Sequence, residues 1–296
     1  RVLVLDIGGT FIKYACMDES MEFLARGRTS TPRDGREELI EAIGRIYDSL
    51  LPLDGIAISM PGIIDTEKGY CRMGGALGYN DDFYLRQSLY RRCPVKISME
   101  NDAKCAALAE AAAGSLRDVN DGFVLIFGTM IGGGYIKDRK LHRGKHSSAG
   151  EVSYLITDRD SMASLDTGWG NRCSALRLCR MYAGRKGLDP DQVDGVQVFQ
   201  AVNRRDRDAL DCLEQFSREI AVQIFNLQTV LDVERFAIGG GISAQPALIR
   251  SVRAQLQELY RHCPYTVSQV EVVACAFQND ANLIGALQCF LQGTTA

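Results

Sequence analysis

The chain has 296 residues, 46% of them hydrophobic and 24% charged, and its 34 Lys and Arg against 37 Asp and Glu leave a formal net charge of −3. This is the balance of a soluble globular chain long enough for two domains, with no basic excess to hold a polyanion, so no nucleic-acid partner is expected. The longest apolar run, Phe123 to Ile136, is short and broken by four glycines, so no membrane partner or span is expected.

Val2 to Leu5 reads as a buried strand, Asp6-Ile7-Gly8-Gly9-Thr10 as a tight turn, and Phe11 to Cys16 as the returning strand. The chain enters this run at once, so no leader is expected. Gly35 to Leu51 reads as a helix with Leu39, Ile43, Ile46 and Leu50 on one face and Asp34 as its cap. Gly55 to Met60 is a buried strand ended by Pro61-Gly62. Val95 to Met99 is another, and Glu100-Asn101-Asp102 then leads into an Ala-rich helix that stops at Gly114. The polar stretch Arg117 to Asp121 marks a domain boundary. Beyond it the opening pattern recurs: strand Phe123 to Phe127, Gly/Thr turn Gly128 to Gly134, and strand Tyr135 to Lys137. The repeat predicts two related lobes, residues 1–116 with the C-terminal helix 282–296, and residues 117–281. Residues 158–208 read as loops and short helices, Ala209 to Leu231 as a long helix, and Arg235 to Ile238 as a strand running into Gly239-Gly240-Gly241. Pro246 to Tyr260 and Asn282 to Leu291 are the last helices. Strands alternating with helices define an α/β fold. The ten cysteines include no C-x-x-C, and Cys105, Cys275 and Cys289 sit among apolar neighbours, which predicts reduced structural thiols and a cytoplasmic protein.

Three Gly-rich turns follow three strands. None fits G-K-[S/T] or G-x-G-x-x-G, but backbone N–H groups at such turns can wrap phosphate oxygens. Two of the turns, with Thr10 and Thr129, could clamp a polyphosphate. The third, which runs into a helix, could seat the nucleoside end. Phosphoryl transfer then needs Mg²⁺, for whose water shell Asp6 is the candidate, and a base, for which Asp102 is the candidate. Asp102 can also serve as an N-cap, and the two roles are compatible. Lys13 either lies near the phosphates or is a solvated side chain.

In chain order, Asp6-Ile7-Gly8-Gly9-Thr10, Glu100-Asn101-Asp102-Ala103, Gly128-Thr129-Met130-Ile131-Gly132-Gly133-Gly134, Ala149-Gly150-Glu151 and Gly239-Gly240-Gly241-Ile242 resemble the motifs of the ROK family of sugar kinases. The resemblance covers nearly the whole chain. It implies a two-lobed actin-like ATPase (ribonuclease H-like) fold with an interlobe active-site cleft, and ATP, Mg²⁺ and a sugar as ligands. It implies Asp102 as catalytic base, and Gly62, Gly75, Asn101, Asp102 and Glu151 around the sugar. Asp6, Gly8, Gly9, Thr10, Lys13, Gly128, Thr129, Gly132 and Gly133 would serve the phosphates and, at Asp6, the Mg²⁺ through water. Gly239, Gly240 and Gly241 would serve the adenosine. Such kinases are often dimers or tetramers, so a homodimer is compatible with it.

The chain departs from the commoner family pattern after Ala149-Gly150-Glu151, where Ser153-Tyr154 replaces the Gly-His that opens a zinc site. Ser164 to Ser174 holds only Cys173, so no structural zinc is expected. This form, with Met73-Gly74-Gly75-Ala76-Leu77 and Asp82-Phe83-Tyr84-Leu85, resembles the bacterial β-glucoside kinases, which implies transfer to the 6-hydroxyl of a glucosyl unit such as that of cellobiose. A kinase for glucose, N-acetylmannosamine or fructose, and a sugar-sensing non-enzyme, are the alternatives. Met130 stands where the second phosphate motif has Gly, and its side chain is expected to crowd the phosphates or to force another backbone route. Lys104 is expected to point away from Asp102.

Overall fold

The protein is described by a computed structural model over residues 1–158, 168–263 and 268–293. The chain forms two compact units, one of Arg1–Ala112, Lys140–Ala149 and Asn279–Ala296, the other of Ala113–Arg139 and Gly150–Gln278.

The first unit is built on strands β1 (Val2–Ile7), β2 (Phe11–Met17), β3 (Phe23–Ser30), β4 (Gly55–Met60) and β7 (Lys96–Asn101), in the order β3-β2-β1-β4-β7. A small hairpin of β5 (Ile63–Asp65) and β6 (Tyr70–Met73) leaves from the end of β4. Helices α1 (Arg36–Ser49), α2 (Leu85–Arg92) and α3 (Asp102–Ala113) complete the run. β1 is buried along its whole length, as an apolar strand inside a sheet must be. It pairs antiparallel with β2 and parallel with β4, and β4 pairs parallel with β7. α1 buries Leu39, Ala42, Ile43, Ile46 and Tyr47 at helical spacing.

The second unit repeats the scheme. β8 (Gly122–Phe127) pairs antiparallel with β9 (Ile131–Lys137) and parallel with β10 (Arg235–Gly239), which pairs parallel with β11 (Glu271–Ala274). Its helices are α4 (Trp169–Arg172), α5 (Ala175–Lys186), α6 (Gly195–Asn203), α7 (Arg207–Leu231) and α8 (Pro246–His262), packed on a core that includes Phe123, Phe127, Trp169, Phe199, Phe216 and Phe236. The last helix, α9 (Ala281–Gln292), returns to the first unit and packs on β1, β4 and β7.

Several elements differ from the sequence expectation, each for a visible reason. Asp6 and Ile7 lie in β1 rather than in the turn, because they pair with Lys13 and Ile12, so only Gly8 to Thr10 turn the chain. Glu100 and Asn101 extend β7, held by the parallel partners Ser59 and Met60. Gly132, Gly133 and Gly134 belong to β9, opposite Ile126, Leu125 and Val124, which leaves Gly128 to Met130 as the turn. The helix α8 starts at Pro246, so residues 242–245 separate the third glycine turn from a helix N-terminus. Asp34 does not cap α1. Gly35 is the N-cap residue, with no side-chain hydrogen bond, and Glu37 and Glu38 place their charges at the helix N-terminus instead. β3, the β5–β6 hairpin, α2 and β11 are not expected from the sequence at all. No described helix is long and apolar enough to cross a membrane.

Candidate active site

The parallel register of the first sheet gathers polar groups at one edge. Asp6, Ser59 and Glu100 are successive register partners near the carboxyl ends of β1, β4 and β7, so they face the same side of the sheet. Asp6 is 9% exposed, and its Oδ1 accepts from Asn282 Nδ2 of α9 at 3.0 Å and from Ser59 Oγ at 3.4 Å. Lys13 Nζ, half-exposed on β2, stands 3.6 Å from Asp6 Oδ2. The turn is closed by Gly8 N–H donating to the Phe11 carbonyl at 2.9 Å. Thr31 at the end of β3 braces it, donating through Oγ1 to Gly8 O at 2.6 Å and through N–H to Thr10 O at 3.0 Å. Gly9 and Thr10 are exposed at its tip.

This turn adjoins the residues expected beside a sugar. A Cβ added to Gly9 would lie 3.3 Å from Ala76 Cβ, in the short 3₁₀ segment Gly75–Asn80. Gly75 has φ +60°, and its added Cβ would lie 3.1 Å from Gly62 N. Gly62 has φ +105°, and a Cβ there would overlap the Met73 carbonyl oxygen. At Gly62 and Gly75 the positive φ and the backbone close by call for glycine. Asn101 Nδ2 donates to Gly62 O at 3.0 Å, so Gly9, Gly75, Gly62 and Asn101 form one contiguous wall that ends at Asp102.

The helix cap is resolved in favour of the amide. Asn101 Oδ1 accepts from Lys104 N–H at 3.1 Å, the N-cap bond of α3, whereas Asp102 Oδ1 accepts from Ala103 N–H at 2.8 Å and its side chain is half-buried. These two bonds use one N–H and one lone pair of the Asn101 amide. Glu100, 1% exposed, accepts from Asn101 N–H at 2.8 Å and from Arg143 Nε at 2.6 Å. Lys104 is also buried, and its Nζ donates to Ser147 O at 2.8 Å. The strand–helix corner that carries Asn101 and Asp102 is thus held from behind by two cationic side chains bonded to and from the 143–147 loop.

The remaining site residues lie in the second unit. The turn of Gly128, Thr129 and Met130 is exposed, and Gly128 O accepts from Ala175 N–H of α5 at 3.2 Å. Gly240 has φ +90°, and a Cβ on it would overlap Phe127 O, so the third glycine turn lies against the start of the second. The parallel pair Gly239–Ile126 sets both at the carboxyl edge of that sheet, where open α/β sheets bind ligands. Gly241 is exposed there. Gly133 and Gly150 touch backbone to backbone, which places half-buried Glu151 beside β9, with Gly132 and Gly133 in the strand next to it. The end of the Met130 side chain turns toward Gly170 of α4, where an added Cβ would lie 2.8 Å from Met130 Cε.

Sequence reasoning misses Thr31, Ser59, Arg143, Ser153 and Asn282. Ser59 alone carries a local signal, as the one polar residue of an otherwise apolar strand. No cluster of three or more His, Cys, Asp and Glu suited to a metal occurs among the described residues. The Ser164 to Ser174 stretch, on which the zinc expectation rests, begins outside them.

Two sheets of matching topology, each with a glycine hairpin at one edge, define an α/β protein of the actin-like ATPase fold. The chain belongs to the ROK family, whose sequence pattern matches residues 2–292. It is 30% identical over 293 residues to a β-glucoside kinase of Klebsiella pneumoniae, covering 99% of this chain and 96% of that protein. It is 29% identical over 294 residues to a β-glucoside kinase of Listeria monocytogenes, covering 99% and 98%. The crystal structure of a ROK family protein from Streptococcus pneumoniae in complex with sucrose superposes with a TM-score of 0.89, at 28% identity and 99% coverage of both chains.

Proposed function

We propose that the chain is an ATP-dependent sugar kinase that transfers the γ-phosphoryl group to the 6-hydroxyl of a glucosyl unit, in a β-glucoside such as cellobiose. The observation that carries the reading is the wall of Gly9, Gly75, Gly62 and Asn101 that ends at Asp102: a phosphate-type turn, a sugar-type surface and a carboxylate on one sheet edge. In this reading Asp102 accepts the proton of the attacking hydroxyl, help worth roughly 10²–10⁴-fold. Asn101 and Glu151 hydrogen-bond ring hydroxyls, and an analogue lacking one leaves buried polar groups unpaired. The turns at Gly8–Thr10 and Gly128–Met130 present N–H groups to phosphate oxygens, and Gly239–Gly241 lies under the adenosine.

The residues fit a magnesium ion. Asp6 is a carboxylate at a strand end, oriented by Asn282 and Ser59, and hard oxygen donors are what Mg²⁺ takes, with waters completing its shell. When bound, the ion neutralises phosphate charge. The β-glucoside choice is supported by the two β-glucoside kinase relatives, while the sucrose complex of the streptococcal relative supports a disaccharide-sized ligand and not the β linkage, since sucrose is an α-glucoside. The test is a coupled ATP-consumption assay over glucose, cellobiose, gentiobiose, N-acetylmannosamine and fructose. Preference for cellobiose or gentiobiose is expected. Turnover of glucose or N-acetylmannosamine alone would defeat the β-glucoside choice, and turnover of none would defeat the kinase.

A further inference from the structure

We propose that Ser153 is a positioning residue that ties the Glu151 segment to the second glycine turn, so that nucleotide and sugar affinities are coupled through its hydroxyl. The proposal rests on the kinase reading above. Ser153 is 8% exposed and lies in the short 3₁₀ turn Val152–Tyr154, two residues beyond Glu151. Its Oγ accepts from Ile131 N–H at 3.0 Å and donates to Ile131 O at 2.5 Å. Ile131 is the first residue of β9 after the turn Gly128–Met130. One hydroxyl therefore satisfies both backbone groups of the residue on which the turn hinges, and a small group that both donates and accepts is what the geometry requires.

Two further contacts make the tether rigid. Gly150, at φ +88°, packs on β9 so closely that an added Cβ would stand 2.6 Å from Gly133 O, which fixes the same segment from its other end. Above Ser153 lies Gly170, where an added Cβ would stand 2.5 Å from Ser153 Oγ and 2.8 Å from Met130 Cε. Any side chain at 170 would displace the hydroxyl and press the Met130 side chain back along its own turn. Glu151 and the turn's N–H groups are thus two ends of one short lever, and a ligand that orders one end orders the other.

Coupling of this kind is reciprocal: the factor by which sugar tightens a nucleotide analogue equals the factor by which the analogue tightens sugar. The experiment measures Kd for a non-hydrolysable ATP analogue with and without saturating cellobiose, and for cellobiose with and without the analogue, by calorimetry on the full chain. In the wild type both factors should exceed one and agree. Ser153→Ala removes two hydrogen bonds and leaves two buried backbone groups unpaired, so Kd for the analogue alone should rise ~3–10-fold and the coupling factor should fall to about one. Ser153→Thr should retain the wild-type factor. Ser153→Cys keeps the packing but bonds weakly, so it should show the same loss as Ser153→Ala even if the alanine chain folds poorly. Gly170→Ala should reproduce that loss. A lower melting temperature with unchanged affinities and coupling in Ser153→Cys and Gly170→Ala would show a merely structural hydroxyl and overturn the proposal. Failure of the wild type to bind either ligand would instead defeat the kinase reading, which separates the two.

Discussion

At the scale of single residues, the Glu100–Asn101–Asp102 corner divides its labour. Asn101 caps α3 and bonds Gly62, Glu100 takes Arg143 and the next backbone N–H, and the Asp102 carboxylate stands at the start of the helix, accepting from Ala103 N–H. Asp102→Asn should therefore lower kcat by roughly 10²–10⁴-fold with little change in melting temperature, and activity within a few-fold of wild type would end its role as base. Glu100→Gln tests the support behind it. The change weakens a pair whose carboxylate is buried while Arg143 stays about one-third exposed, so a loss of about 1–3 kcal/mol is expected from urea denaturation. The local sequence showed that this trio is polar at a strand–helix junction. It did not show which member caps, because Asn and Asp are equally good caps and only the observed hydrogen bonds separate them.

At the scale of elements, glycines mark where backbones meet. Gly285 on α9 faces the Cys105 carbonyl of α3 so closely that a Cβ would overlap it, and Gly285→Ala should cost about 1–3 kcal/mol through helix displacement, read again by urea denaturation. Gly240→Ala adds a positive φ to a clash with Phe127 O and should both destabilise the second unit and weaken nucleotide binding. An unchanged Kd for the ATP analogue would remove Gly240 from that site. The strongly apolar strands β1, β4 and β8 were legible because both their faces are buried and they read as continuous hydrophobic runs. β3 was not. Its inward positions are Phe23, Ala25 and Gly27, and Gly27 is small because the Tyr14 ring fills its place, so the alternation that would reveal the strand is muted. The glycines of β9 misled for a related reason: a run that usually signals a turn is here a strand thinned for the approach of Gly150.

For the molecule as a whole, the cysteines act as packing. Cys71, Cys93, Cys105, Cys173, Cys179, Cys212 and Cys289 are buried, and burial pushes their thiols up, to about 12 for Cys71 and about 11 for Cys93 and Cys289. The sign follows directly. An acid whose folded value is raised deprotonates first in the unfolded chain, so these thiols support the fold below the ordinary thiol value near 8.5 and lose that support as pH rises toward their folded values. The melting temperature should fall between about pH 9 and pH 12, more steeply than in Cys71→Ala; equal slopes would show that the buried thiol contributes nothing. A thiol reagent at pH 8 should label exposed Cys263 fast and these seven only after unfolding.

The linear sequence by itself determined the family and the α/β class, because the motifs and hydrophobic runs that carry them are short-range patterns: residues a few places apart that share one turn or one strand. How far each glycine turn extends was left to strand pairing. Tertiary structure alone decided what stands around the turns and the carboxylates. Asn282 reaches Asp6 across 276 positions, Ser59 reaches it across 53, Arg143 reaches Glu100 across 43, and Ser153 reaches Ile131 across 22. Sheet register and helix packing bring these pairs together. The physical reason is that a hydrogen bond depends on distance in space, and over such separations the chain's local preferences leave that distance open until the core has closed.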